Sequence, residues 1–129
     1  MAAGAPFCLS HIGIPTVDAD ATIEFYERLG FTVIGRFANP RTNSLAVFLR
    51  LGNAVLEIYE GKERNVSSGA INHIALQVDD IEAAFKFAVK NGLSPASNEL
   101  ETLPFWENGV RFFTVIGVNG EIVEFIQRL

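Results

Sequence analysis

Cysteine and basic side chains are scarce in this chain of 129 residues, and each scarcity excludes a class of protein. A single cysteine, Cys8, cannot form an internal disulfide, which excludes a disulfide-stabilised secreted domain and fits a reducing cytoplasm. Ten basic against fifteen acidic side chains give a net charge of -5, so the overall field repels phosphate backbones and anionic lipid surfaces. We therefore expect neither a nucleic-acid partner nor a membrane partner.

Long hydrophobic runs and a leader-like start are also missing. The longest apolar stretches, such as residues 112–118, are far shorter than the roughly 20 residues of a membrane-spanning helix. The first ten residues have neither a basic region nor an apolar run, so no secretory signal is predicted. Hydrophobic residues nevertheless make up 49% of the chain and include eleven phenylalanines, which is ample material for one core. The sequence predicts a single globular, cytoplasmic domain over residues 1–129.

The chain is internally repeated at an offset of 62 residues. Six of the twenty positions in 11–30 are identical to their counterparts in 73–92. In each half an alternating strand leads into a pair of aspartates, an amphipathic helix that ends at a glycine, and three β-rich segments. Each half is therefore predicted to be β-α-β-β-β, with modules at about 7–60 and 70–129 and a polar linker at 61–69. The β-rich segments are 31–37, 45–51, 54–59, 93 onward, 110–116 and 121–127.

The helix starts are predicted from capping residues. The first helix is expected to begin near Asp18 or Asp20, because aspartate accepts hydrogen bonds from the free N–H groups of a first helical turn. The second is expected to begin at Asp79, since Glu82 follows three positions later as in a capping box.

Two histidines and two glutamates occupy matching places in the two halves. His11 and His73 lie on the first strand of each half, and Glu57 and Glu124 lie on the last strand. A carboxylate within an apolar strand is costly unless it is paired, hydrogen-bonded or bound to a metal. If the two sheets curl toward each other, the four side chains meet as a set suited to one divalent ion of Zn, Ni, Co, Mn or Fe. The other interpretation is an empty pocket with structural histidines and solvated glutamates.

The chain resembles the vicinal oxygen chelate superfamily, which contains glyoxalases, bleomycin-resistance proteins and extradiol dioxygenases. The segments that carry the resemblance are HIGIPTVDADATIEFYERLGF, NHIALQVDDIEAAFKFAVKNG and NGEIVEF. The resemblance implies an α+β fold in which two βαβββ modules form a cupped, partly closed mixed-sheet barrel around a divalent metal. It also implies a homodimer, because a second subunit commonly covers the open sheet edges of small members.

The ligand order of histidine, glutamate, histidine and glutamate is similar to that of glyoxalase I. This likeness implies a lyase or isomerase that acts on a small substrate, such as the hemithioacetal of a 2-oxoaldehyde and a thiol. Glu124, and next Glu57, is then the base that moves a proton. Pro15 and Gly61 stand where glutathione-using members tend to carry arginine and asparagine, which leaves the thiol open. The alternatives are a methylmalonyl-CoA epimerase-like isomerase and a non-catalytic antibiotic-binding protein.

Five further side chains are candidate substrate contacts, namely Tyr59, Phe105, Trp106, Arg111 and Phe113. Tyr59 shares a strand face with Glu57 or marks the rim of the sheet. Phe105 and Trp106 belong to a loop over 99–108 that shapes either a pocket or a subunit contact. Arg111, on the same strand face as Phe113, either holds an anionic group or pairs with a surface acid.

Overall fold

The computed structural model describes residues 9–40, 42–61, 69 and 71–129, which divide into two compact units after residue 64. Each unit has one helix and one four-stranded mixed sheet, in the chain order β-α-β-β-β. The α+β class with two such sheets is confirmed, whereas the barrel stays a prediction. Cys8 and residues 62–68 of the linker lie outside the described residues.

In the first unit, the first and last strands are neighbours in the sheet. Its elements are β1 (Ile12–Thr16), α1 (Ala19–Arg28), β2 (Thr32–Asn39), β3 (Ser44–Leu51) and β4 (Ala54–Glu60). The sheet order is β1-β4-β3-β2, with β1 parallel to β4 and the other neighbours antiparallel. The first and last strands of the unit are therefore direct neighbours.

The second unit repeats this topology with a shorter edge strand. Its elements are β5 (His73–Gln77), α2 (Ile81–Lys90), β6 (Glu101–Leu103), β7 (Val110–Ile116) and β8 (Ile122–Arg128), in the sheet order β5-β8-β7-β6. The strand predicted from Leu93 onward is wrong, since only a single bridge from Pro95 to Val115 precedes β6. Pro95 itself forms that bridge, and because proline has no N–H to donate, the ladder does not extend through it.

Matching aspartates cap the two helices. Asp18 Oδ1 accepts a hydrogen bond from Ala21 N at 3.0 Å, and Asp80 Oδ1 accepts one from Ala83 N at 3.1 Å. Asp18 is confirmed as the first cap, whereas the prediction of Asp79 as the second is wrong by one residue. The side chain that reaches the N–H three residues onward decides the cap, and Asp80 is the one that does so.

Each helix covers one face of the sheet in its own unit. The first core is built on strand residues such as Leu49, Leu56 and Ile58, and the second on Val115 and Val123, all of them buried. Residues that alternate with these point to the opposite face, where Glu57 and Glu124 are only partly buried. We call this opposite side the open face of each sheet. No helix in the described ranges has the length and apolar content needed to cross a membrane.

Candidate metal centre

In the first unit, one histidine and one glutamate come together on the open face. Gly13 lies opposite Glu57 in the parallel pairing of β1 with β4, and His11 precedes Gly13 by two residues. Because side chains two residues apart share a strand face, His11 and Glu57 point to the same side. His11 Nε2 lies 3.4 Å from Glu57 Oε1, and the two side chains are 36% and 26% exposed. Two of the four predicted ligands are therefore neighbours on this face, and their role as ligands stays a prediction.

The separation of this pair suits a shared cation. A distance of 3.4 Å exceeds the usual 2.7–3.2 Å of an N–H···O hydrogen bond. Two donor atoms that each lie about 2.0–2.2 Å from one metal ion are separated by distances of this size. An imidazole nitrogen beside a carboxylate oxygen is also a donor set that first-row divalent metals accept. His11 and Glu57 thus fit two positions of a divalent metal site.

The second unit repeats the strand register but not the direct contact. Ala75 lies opposite Glu124 in the pairing of β5 with β8, and His73 precedes Ala75 by two residues. No ion pair joins His73 to Glu124 in the described part of the chain. Within either unit alone, the residues that the structure describes include no group of three or more His, Cys, Asp or Glu able to hold a metal. Each unit holds two of the predicted ligands, and a cation bound by all four stays a prediction.

The residue before each histidine forms a hydrogen bond with its ring. Ser10 Oγ lies 3.0 Å from His11 Nδ1, and Asn72 Oδ1 lies 3.0 Å from His73 Nδ1. Metal-binding histidines commonly have their second ring nitrogen bonded in this way, which orients the ring. These contacts were not predicted from the sequence, although a polar residue precedes both histidines at the same 62-residue offset.

An aromatic side chain borders the first pair. Phe48 lies opposite Glu57 in the β3–β4 pairing, and its ring meets the His11 imidazole edge to face at a centroid distance of 5.3 Å. Phe37 extends this wall, with its centroid 6.0 Å from that of Phe48. In the second unit the residue opposite Glu124 is Thr114 on β7. Sequence reasoning missed Phe48 and Thr114, because strand alternation alone does not give the register between neighbours.

A groove of about 420 Å³ adjoins Glu57 in the first unit. Its lining residues are Gly13, Asn39, Thr42, Ser44, Leu45, Ala46, Glu57, Tyr59 and Glu60. This volume lies within the range of about 300–1,000 Å³ that is typical of small-molecule sites. Tyr59 is 38% exposed at the end of β4, and its contact with a substrate stays a prediction.

Arg111 and Phe113 lie on the helix-facing side of β7 and not on the open face, whereas the prediction of substrate contacts assumed an accessible face. Arg111 Nη2 donates to Glu82 Oε1 on α2 at 3.0 Å. Phe113 is completely buried, stacked on Phe125 at 4.7 Å and edge to face with Phe85 of α2 at 5.2 Å. Alternation along β7 puts both residues on its helix-facing side. Phe113 therefore packs in the second core, and Arg111 pairs with Glu82 at the surface.

Phe105 and Trp106 lie in the loop after β6, and both are more than half exposed. Trp106 has φ of 61°, a left-handed conformation that is uncommon for a residue with a side chain. The guanidinium of Arg128 lies 4.1 Å from the centroid of its ring, a cation–π contact that orients the indole. Contact of either residue with a substrate stays a prediction.

Known proteins share both the sequence pattern and the fold. Residues 10–113 match the family model described as the Glyoxalase/Bleomycin resistance protein/Dioxygenase superfamily. Uncharacterized protein YwbC of Bacillus subtilis (strain 168) is 35% identical over 127 residues, which cover 93% of this chain and 97% of that protein. A glyoxalase family protein from Enterococcus faecalis superposes with a TM-score of 0.77 at 26% identity, over 92% of this chain and 95% of the other.

A more distant solved structure shares the fold alone. The fosfomycin resistance protein FosX from Listeria monocytogenes, in complex with Mn(II) and sulfate, has a TM-score of 0.71 at 17% identity. The match covers 95% of this chain and 93% of FosX.

Proposed function

The chain belongs to the glyoxalase/bleomycin resistance/dioxygenase superfamily, and from this membership we propose that it is a divalent-metal enzyme of the glyoxalase I type. Its reaction is a lyase or isomerase step on a small substrate with two neighbouring oxygens, such as the hemithioacetal of a 2-oxoaldehyde and a thiol. The observation that carries the proposal is the 3.4 Å approach of His11 Nε2 to Glu57 Oε1 on the open face.

Four side chains would hold the metal, namely His11, Glu57, His73 and Glu124. The support is the donor chemistry of the first pair and the repetition of its strand register in the second unit, where Ala75 replaces Gly13 opposite the glutamate. The Mn(II) in the FosX complex supports an ion of the same class in this chain. Imidazole nitrogen with carboxylate oxygen also accommodates Zn, Ni, Co or Fe.

The glutamates supply the proton transfer. When bound, the divalent ion stabilises negative charge on substrate oxygens as it develops. Glu124 is the proposed base that moves a proton between adjacent carbons, with Glu57 as the second choice. Both carboxylates are partly exposed on open faces, so either can reach a substrate that lies against its sheet. Phe48 packs against the His11 ring and shields that side of the imidazole from water.

The groove beside Glu57 accommodates the substrate in this proposal. Asn39, Thr42 and Ser44 line it with an amide and two hydroxyls, which suit an oxygen-rich molecule. Tyr59, at the end of β4, lines the groove with its aromatic ring and its hydroxyl. None of these groups singles out one thiol, so the activity test has to include several.

Thioester formation tests the proposal. Metal-replete protein is mixed with methylglyoxal and, in separate reactions, glutathione and other cellular thiols, and thioester absorbance is followed. We expect turnover with at least one thiol, and loss of turnover with retained circular dichroism in Glu124→Gln. Glu101→Gln, which changes an exposed carboxylate on β6, is the matched control and should keep its rate. Absence of thioester with every thiol would overturn the glyoxalase I assignment.

A further inference from the structure

We propose that Asn72 is a positioning residue that fixes the tautomer of His73, so that the lone pair of Nε2 is presented on the open face. The inference rests on the proposed function where it treats His73 as a metal ligand. Its structural basis, however, is the hydrogen bond between the Asn72 side chain and the ring, which needs no metal.

The chemistry of the amide oxygen decides the tautomer. Asn72 Oδ1 lies 3.0 Å from His73 Nδ1, a normal hydrogen-bond distance. An amide oxygen only accepts, so the proton of this bond has to come from Nδ1. A neutral imidazole carries one N–H and one lone pair, which leaves the lone pair on Nε2. Nε2 is then the nitrogen available to a cation.

Ser10 cannot impose the same choice on His11. Its hydroxyl lies 3.0 Å from His11 Nδ1, but a hydroxyl donates or accepts according to its rotation. On the other side of the ring, Nε2 lies 3.4 Å from Glu57 Oε1, which is longer than a normal hydrogen bond and does not fix the proton on either nitrogen. The contacts of His11 therefore leave its tautomer open, whereas the amide oxygen of Asn72 sets that of His73.

Asn72 lies outside the core of the second unit. Asn72 and His73 are both exposed, immediately before and at the start of β5. Substitution of Asn72 thus removes no buried packing. Because water competes for an exposed hydrogen bond, we expect Asn72 to shift the balance of tautomers strongly rather than completely.

Nuclear magnetic resonance on metal-free, 15N-labelled full-length protein tests the proposal. Two-bond correlations between ring protons and nitrogens report which nitrogen carries the proton, and the chain has only two histidines to assign. The tautomer is read from spectra in which each ring shows one protonated and one unprotonated nitrogen. We expect His73 to be mainly protonated on Nδ1.

Three variants make the result specific. Asn72→Leu keeps the size of the side chain but has no acceptor, and should move the His73 proton mainly to Nε2. Asn72→Asp keeps an acceptor and should retain the wild-type tautomer. The His11 signals should be unchanged in both variants, whereas Ser10→Ala should affect His11 alone. A wild-type His73 protonated on Nε2, or an Asn72→Leu spectrum equal to wild type, would overturn the proposal.

Metal affinity gives a second readout. Loss of a group that orients a metal-bound histidine typically weakens metal binding about 10–100-fold. We expect about 10-fold weaker Zn binding in Asn72→Leu, since the bond is exposed, and near wild-type affinity in Asn72→Asp. If the wild type binds no metal at all, the proposed function fails, whereas the tautomer spectra still decide the role of Asn72.

Discussion

Gly13 lies directly opposite Glu57, and a Cβ atom at position 13 would come within 3.2 Å of Tyr59 Cε1 and 3.8 Å of Glu57 Oε1. In the second unit the residue of β5 that lies opposite Glu124 is Ala75, which already carries a Cβ atom. The absence of a side chain at Gly13 leaves room for the Tyr59 ring and the Glu57 carboxylate, and all three residues line the groove.

Gly13→Ala should narrow this groove and leave the fold intact. The added methyl displaces the Tyr59 ring by a few tenths of an ångström, which the half-exposed ring tolerates, so we expect the unfolding free energy to change by less than about 1 kcal/mol. The KM for the hemithioacetal should rise several-fold while bound metal is unchanged. Steady-state kinetics and urea unfolding measure both effects. An unchanged KM would contradict the assignment of the groove to substrate, and Ala75→Gly is the matched control without this crowding.

Asp80→Ala should destabilise the protein by about 1 kcal/mol, since it leaves the Ala83 N–H of the first turn of α2 without its acceptor. Asp79→Ala should cost less than about 0.5 kcal/mol, as expected for a surface change outside a cap. Urea unfolding of the two variants side by side makes the comparison. Equal losses would show that Asp80 is not the residue that caps α2.

Phe113→Ala should be strongly destabilising, by about 3–5 kcal/mol, because it opens a cavity between α2 and the sheet of the second unit. The stacked contact with Phe125 is lost at the same time. Thermal and urea unfolding report the change. A loss below about 1 kcal/mol would mean that this ring is not at the centre of the second core.

Arg111→Met should have little effect on either stability or catalysis. The substitution removes a partly exposed ion pair with Glu82, which is worth less than about 1 kcal/mol, and retains an apolar stem. Neither KM nor metal content should change, because Arg111 faces the helix. A marked rise in KM would restore Arg111 as a substrate contact.

Local signals in the sequence were enough to predict most of the fold. Apolar spacing and the terminal glycines predicted both helices. The 62-residue repeat matches Asp18 with Asp80, which are the two caps, whereas the capping-box pattern favoured Asp79. The strand expected from Leu93 onward failed because turn-forming residues interrupt it, and only Glu101–Leu103 forms β6. Propensity alone does not decide which of several short β-rich segments finds a partner.

The candidate site could be predicted only in part. The repeat and strand alternation predicted that His11 and Glu57 share a face, and the structure has them 3.4 Å apart. This part could be predicted because alternation is a local property of a strand. Alternation also predicted that Arg111 and Phe113 share one face of β7. It does not predict which face of the strand the helix covers, since that depends on tertiary packing. The contacts of Ser10 and Asn72 with the histidine rings depend on side-chain rotamers, which the pattern of residues does not specify.

The most direct test of the central claim is a count of bound metal. Wild-type protein, His11→Ala and His73→Ala are loaded with a divalent metal, freed of excess and measured by elemental analysis, with Arg111→Met as the control. We predict one ion per chain in the wild type and the control, and loss of the ion in both histidine variants. Metal-free wild type, or histidine variants that retain a full equivalent, would contradict the proposal that His11 and His73 are metal ligands.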